Sequence, residues 1–241
     1  MDLKEEEILK DKVHSHWYYV SKGLALLKII KKTKINSILD IGAGSGVFSK
    51  IILKNTNARE AICFDKGYSK DKEENFFGKK LYYTNKISSF NADLVLFMDV
   101  IEHIKDDISF VKTYINKVKP GTYVLFTVPA FQFLFSGHDL FLEHYRRYTL
   151  LSLKTCLNSA GLTVLKTRYY FLLLFPFMAI IRIFAKVKMK YFSKNYIAKS
   201  DLKIYGKFIN KLFILIHRIE LLFFPLNKIA GLTAFCLAIK K

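Results

Sequence analysis

Three alternate glycines, Gly42, Gly44 and Gly46, separate a strand-like run from a helix-like one. Ser37 to Ile41 reads as a buried strand with a single acid, Asp40, inside it. Val47-Phe48-Ser49-Lys50-Ile51-Ile52-Leu53 then resumes with apolar residues at helical spacing. Strand, glycine turn and helix form the front end of a nucleotide-binding βαβ unit. The glycines let the backbone turn tightly and let a ligand approach with no Cβ in the way. The first-turn amides of the helix then face that ligand. A dinucleotide fingerprint, Gly-x-Gly-x-x-Gly, would place its third glycine at 47, where Val47 stands. The pattern here is Asp-x-Gly-x-Gly-x-Gly, and an acid at the strand end suits a ligand that carries an ammonium group.

Further strand-like runs follow at the spacing of an α/β fold. Arg59 to Asp65 ends in an acid about one helix beyond the glycines, where this architecture places a ribose-binding carboxylate. One carboxylate can accept hydrogen bonds from both ribose hydroxyls. Gly67 to Lys80 reads as a polar connector and Lys80 to Thr84 as a third strand. Asn85 to Ser89 is expected to border a bound base. Asp93 to Asp99 is a clearly buried fourth strand, and Val100 to Ile104 is expected to lead into a helix. Lys119-Pro120-Gly121 breaks that helix before a fifth strand, Thr122 to Val128. Leu150 to Ala160 reads as a helix and Leu162 to Lys166 as a sixth strand. Apolar strands alternating with helices mean a mostly parallel sheet covered on both faces.

Asp40 to Gly46, Asp65 and the string Asp93-Leu94-Val95-Leu96-Phe97-Met98-Asp99-Val100-Ile101-Glu102-His103-Ile104 together resemble the class I S-adenosylmethionine (SAM) dependent methyltransferases. The resemblance covers about residues 14–170 and extends to a final strand. Within that class the chain is similar to small-molecule and quinone O-methyltransferases, in a bacterial branch with His138-Asp139 followed by His144-Tyr145-Arg146-Arg147-Tyr148. It implies a Rossmann-like seven-stranded α/β sheet, six strands parallel and the last antiparallel, with a helical insertion before the last. Four parts follow: a helical lid at 1–35, a SAM-binding core at 36–169, an apolar and basic insertion at 170–228, and the last strand at 229–241. SAM is the implied cofactor, with Asp40, Gly42, Gly44, Gly46, Asp65 and Asp99 as its contacts. The segment His14-Ser15-His16-Trp17-Tyr18-Tyr19 resembles the lid of small-molecule members, with Lys22 the nearest cation.

Residues 129–148 are too rich in ionisable groups for a plain connector. They follow the fifth strand, at the sheet edge where open α/β folds put their chemistry. His138 and His144 are the candidate bases, since imidazole titrates near neutral pH. Arg146 and Arg147 suit a phosphate or carboxylate on the acceptor, and Tyr148 suits closure of its pocket. Asp99, Glu102 and His103 would share one helix face and suit Mg²⁺ or Mn²⁺. Quinone and small-RNA methyltransferases resemble this trio, with Glu in place of Asp99. Many members of the class carry these residues without a metal, so no metal is expected.

The formal charge of +19 over 241 residues asks for an anionic partner. A nucleic-acid methyltransferase acting on base amino groups would carry an Asn-Pro-Pro-Tyr type motif after the fourth strand. Asp99-Val100-Ile101-Glu102 stands there instead, which argues against nucleic acid. Residues 166–241 hold 15 Lys and Arg against Asp201 and Glu220, so +13 of the charge lies in this part. It reads as two apolar helices, one over 171–185 and one from about Ile204 to Phe224, around a basic stretch from Lys186 to Lys203. Both are too short or too interrupted by ionisable residues to span a bilayer. Apolar faces with basic flanks describe helices in an anionic membrane interface. The expectation is therefore a cytoplasmic protein, peripheral on the inner face of a membrane, acting on a small or lipid-linked acceptor at oxygen. The alternatives are a non-catalytic SAM-binding, membrane-associated protein or, less favoured by the sequence after the fourth strand, a nucleic-acid methyltransferase. Cys63, Cys156 and Cys236 suit neither zinc nor a disulfide framework and point to a reducing compartment. The charged start MDLKEEEILKDK lacks the apolar core of a signal peptide.

Overall fold

The computed structural model describes residues 8–87, 91–191 and 200–241. Ser88 and Ser89 of the expected base-bordering segment, residues 1–7 of the expected lid and residues 192–199 of the basic stretch lie outside the described residues. A short 3-10 turn precedes helix α1 (Trp17–Ile30), and the sheet begins with β1 (Ser37–Ile41). After the glycine turn come α2 (Val47–Asn55), β2 (Glu60–Phe64), β3 (Lys72–Phe76), β4 (Lys79–Thr84) and β5 (Leu94–Met98). The order continues with α3 (Asp107–Ile115), β6 (Tyr123–Pro129), the short α4 (Gly137–Phe141), α5 (Leu150–Ser159) and β7 (Leu162–Tyr170). Two longer helices, α6 (Phe175–Tyr191) and α7 (Lys207–Phe223), precede the last strand, β8 (Thr233–Lys240).

The strands form one α/β sheet in the order β3-β4-β2-β1-β5-β6-β8-β7. β4, β2, β1, β5 and β6 pair in parallel. β8 is antiparallel to both β6 and β7, so β7 runs with the parallel set. This is the expected arrangement of six co-directional strands and an antiparallel last one. The sheet nonetheless has eight strands, because the connector 67–80 contains β3, antiparallel to β4. Its sequence, Lys-Glu-Glu-Asn-Phe, shows no apolar alternation because it is a charged edge strand that buries almost nothing.

Strands β1 and β5 are buried on both faces: β5 (LVLFM) reads as a continuous apolar run, and β1 (SILDI) as one interrupted by Asp40. Alternate residues feed opposite cores. Ile38 and Leu96 join Leu26, Phe48 and Ile52 on the side of α1 and α2. Leu39, Val95 and Phe97 join Val111, Tyr114 and Leu157 on the side of α3 and α5. α1 is tied to α7 through Asn210, which accepts from the Trp17 amide at 2.8 Å and donates to the Ser15 carbonyl at 2.8 Å. It also lies tight on α2, since a Cβ at Gly23 would come within 2.4 Å of Ile51 Cδ1. Among the described residues no helix is long and apolar enough to cross a membrane.

Candidate active site

The glycine turn sits at the carboxyl end of β1, and Gly42, Gly44 and Gly46 all have positive φ, at 68°, 52° and 68°. A Cβ at Gly42 would meet Val100 Cγ2 at 2.8 Å, so the turn admits no larger residue without displacing its neighbour. Asp40 lies beneath the turn, 1% exposed. One of its oxygens accepts from Ser49 Oγ at 2.8 Å, and the other, Oδ1, is buried with no partner. Burial pushes this carboxyl up to about 6. Asp65 closes β2 and accepts from the amides of Gly44, at 3.0 Å, and Gly67, at 2.9 Å. The structure thus joins Asp40, the glycines and Asp65 in one corner. Tyr68 covers that corner, its hydroxyl donating to the Gly44 carbonyl.

Asp99, one residue beyond β5, has φ of 55° and turns its carboxylate toward α1. Lys22 ion-pairs with it there, and Thr127 Oγ1 donates to it at 3.2 Å. Asp99, Glu102 and His103 do not share an α-helical face. A 3-10 turn, Ile101–His103, follows β5, and α3 starts only at Asp107, capped by Asp106.

Beside Asp99 opens a cavity of about 200 Å³. Trp17 and Tyr18 of α1, His138, His144 and Arg147 of the 129–148 segment, and Arg182 of α6 line parts of it. Asp139, fully buried, is the hub of its polar wall. It accepts from the Ser136 amide at 2.8 Å, from Arg147 Nε at 2.7 Å and from His144 Nδ1 at 2.9 Å, while Arg182 stands 3.8 Å away. Arg182 is paired in turn with Asp201 at 2.9 Å.

The two candidate bases differ in tautomer. The Asp201 amide donates to His138 Nδ1 at 3.0 Å, so the proton of the neutral ring sits on Nε2. Burial and the Arg182 charge hold His138 down at about 3, which keeps it neutral. His144 donates Nδ1–H to the Asp139 carboxylate, so in the neutral ring the lone pair is on Nε2. Arg146 and Tyr148 lie elsewhere. Arg146 pairs with Asp107 at 3.1 Å, and the buried Tyr148 hydroxyl donates to Asp107 at 2.6 Å. Neither lines the cavity, because Asp107 at the start of α3 draws both to the far side of the segment. Of the expected acceptor contacts, only Arg147 reaches the cavity wall.

Glu102 is fully buried, and neither of its oxygens finds a hydrogen-bond partner outside its own residue. Burial and the nearby Asp99 charge raise it well above the usual carboxylate range. Ligand atoms of Glu102, His103 and His144 lie within 4.8 Å of one another. Arg182, Asp201 and Phe213 are among the lining residues that the sequence did not single out, and they lie far along the chain in or near α6 and α7. Their only signal was an ionisable residue interrupting an apolar run, as at Arg182.

A family model described as "Methyltransferase domain" matches residues 14–167. A search of curated proteins finds no match. Among solved structures, a chain of the complex between the Haloferax volcanii Trm112 methyltransferase activator and a methyltransferase is similar at 13% identity, with 99% of this chain and 97% of that chain covered and a TM-score of 0.55. A Haemonchus contortus phosphoethanolamine N-methyltransferase 2 in complex with SAM is similar at 13% identity, with 100% and 60% covered and a TM-score of 0.52. A Bacillus halodurans protein described as a methyltransferase gives 14% identity, 90% and 98% covered, and a TM-score of 0.51. At these identities the likeness is one of fold.

Proposed function

The chain belongs to the methyltransferase-domain family, and from that premise we propose that it moves a methyl group from SAM to an oxygen of a small or lipid-linked acceptor. The observation that carries the reading is the Asp139–His144 pair on the wall of the cavity beside the glycine corner. The corner's residues fit SAM. The orphaned, buried Asp40 Oδ1 lies under a turn whose glycines leave room for a ligand, and Asp65 is anchored by two amides with its carboxylate at the rim. Gly42, Gly44 and Gly46 would bear the ligand's amino-acid end, Asp65 its ribose, and Asp99 would border the two sites. When bound, SAM supplies a methyl group on a positively charged sulfur, which leaves as a neutral thioether.

What the chain adds is alignment and a proton acceptor. An acceptor hydroxyl beside His144 gives its proton to Nε2 as its oxygen takes the methyl carbon. Asp139 keeps the ring oriented and offsets the charge that develops on it. Arg147 pairs with Asp139 and Arg182 with Asp201, so two guanidinium groups stand on the wall where a phosphate or carboxylate of the acceptor could share them. Calorimetric titration with SAM, followed by turnover of extract with methyl-labelled SAM and mass spectrometry of products, tests this. Absence of SAM binding by the folded chain would overturn it. SAM binding with no S-adenosylhomocysteine release from any acceptor would leave the non-catalytic alternative.

The unpartnered carboxylate of Glu102 favours a second reading of the same cavity. Glu102, His103 and His144 together would hold a divalent cation, which would polarise the acceptor oxygen in place of a base. Turnover abolished by EDTA and restored by Mg²⁺ or Mn²⁺ favours this reading, and EDTA-resistant turnover favours His144 as the base.

A further inference from the structure

Helices α6 and α7 are inverted with respect to water. The residues that α7 buries are His217 and Glu220, a pair at 2.9 Å. Its Phe208, Leu215, Leu222 and Phe223 are 56–80% exposed. On α6, Arg182 is the buried side chain, while Phe177, Ile180, Ile181 and Phe184 are 55–70% exposed. A helix packed for water does the reverse, with its apolar stripe inward and its ionisable residues out. Apolar exposure on this scale marks a contact surface. The charges these two helices leave in solvent, among the described side chains, are all positive: Lys186, Lys207, Lys211 and Arg218.

We propose that α6 and α7 lie in the interface of an anionic lipid bilayer, with their apolar faces at the headgroup–acyl boundary and their lysines among lipid phosphates. Charge decides the occupant. A second copy of this chain would bring like cations together across the contact, whereas phosphate headgroups neutralise them. Length decides the mode. Each helix has 17 residues, roughly 25 Å at 1.5 Å per residue, short of a hydrocarbon core of ~30 Å. The helices therefore rest in the surface without spanning it. The same segments wall the cavity, through Met178 and Arg182 on α6 and Phe213 on α7. On the proposed methyl-transfer reading, the acceptor is then an amphiphile presented from the bilayer, its polar end beside His144 and its apolar part toward the lipid.

Vesicle sedimentation of the full chain tests this, with phosphatidylglycerol–phosphatidylcholine vesicles against phosphatidylcholine alone at low and high salt. The expected result is pelleting with the anionic vesicles, weakened by salt. The variant Phe177→Glu/Phe184→Glu/Phe208→Glu/Leu222→Glu should bind them at least tenfold more weakly, with SAM affinity and thermal melting unchanged. Equal pelleting of variant and parent would overturn the proposal. So would no pelleting with either vesicle, or a dimer in analytical ultracentrifugation that the variant dissolves while vesicles capture neither form. SAM titration run in parallel separates the two readings. SAM binding without vesicle binding removes this inference alone, and vesicle binding without SAM binding removes the methyltransferase reading alone.

Discussion

Lys22, fully buried in α1, ion-pairs with Asp99 just past the end of β5. The same ammonium donates to the Tyr18 hydroxyl at 3.2 Å. One carboxylate on the cavity wall therefore ties down the helix that carries Trp17 and Tyr18, which both line the same cavity. The position of α1 and the chemistry of the cavity are coupled through this contact.

Lys22→Met keeps the packing volume and removes the charge. Asp99 is 22% exposed, so water relieves part of the loss, and a cost of about 3 kcal/mol is expected, the low end for breaking a buried pair. Urea denaturation measures it. An unchanged midpoint would mean that α1 is held by Asn210 and its apolar contacts alone.

Asp65→Ala removes the carboxylate that faces the expected ribose and frees the Gly44 amide. Hydrogen bonds to a charged group contribute ~1.5–3 kcal/mol, so SAM affinity should fall about 10- to 100-fold. Calorimetry reads this directly, and an unaltered Kd would remove Asp65 from the cofactor site.

His144→Asn should lower kcat by ~10²–10⁴, the range of a lost general base, with SAM binding retained. His138→Asn should lower kcat less than tenfold, since the Asp201 amide occupies the ring nitrogen that carries its lone pair. The reverse order of the two effects, measured as S-adenosylhomocysteine release, would transfer the role to His138.

Stability should respond to acid through His138. Its folded value of about 3 lies below the ordinary 6.5. Between those values the unfolded chain binds a proton that the fold refuses, so stability falls as pH drops through 6.5. At pH 5 the loss is about 2 kcal/mol for this ring. His103, held by burial at about 4, acts in the same sense. Asp40, raised to about 6, acts oppositely, because the folded carboxyl keeps a proton that the unfolded one releases as pH rises past about 4. The difference between the parent and His138→Asn isolates the ring. Urea midpoints at pH 7.5 and pH 5 should converge with the variant's by that amount, and a pH-independent difference would refute the assignment.

The sheet was legible because β1 and β5 are buried on both faces and so read as largely apolar runs, with glycines marking the turn from β1 into α2. β3 was hidden because an edge strand of Lys-Glu-Glu-Asn-Phe has the composition of a loop. That Asp40, the glycines and Asp65 meet in one corner was legible because they stand at fixed offsets along neighbouring strands. The cavity was only half legible. Arg146, Arg147 and Tyr148 adjoin in sequence, yet Asp107 takes the first and last while Asp139 takes the middle one. Nothing in the local string distinguishes them, since the two acids belong to different elements. Arg182 and Asp201 reach the cavity only through the placement of α6 and the segment before α7, which tertiary packing decides.

The strand order also has a consequence in time. β8 fills the slot between β6 and β7, pairing Tyr123 with Ile239 and Leu162 with Lys240. As the chain leaves the ribosome, β6 and β7 emerge with that slot vacant, and the two inverted helices emerge next. Each strand then waits with an unpaired edge until the residues of β8 arrive, and such edges are templates for wrong pairing. A nascent chain paused short of residue 233 thus carries two open strand edges together with the exposed apolar side chains of α6 and α7.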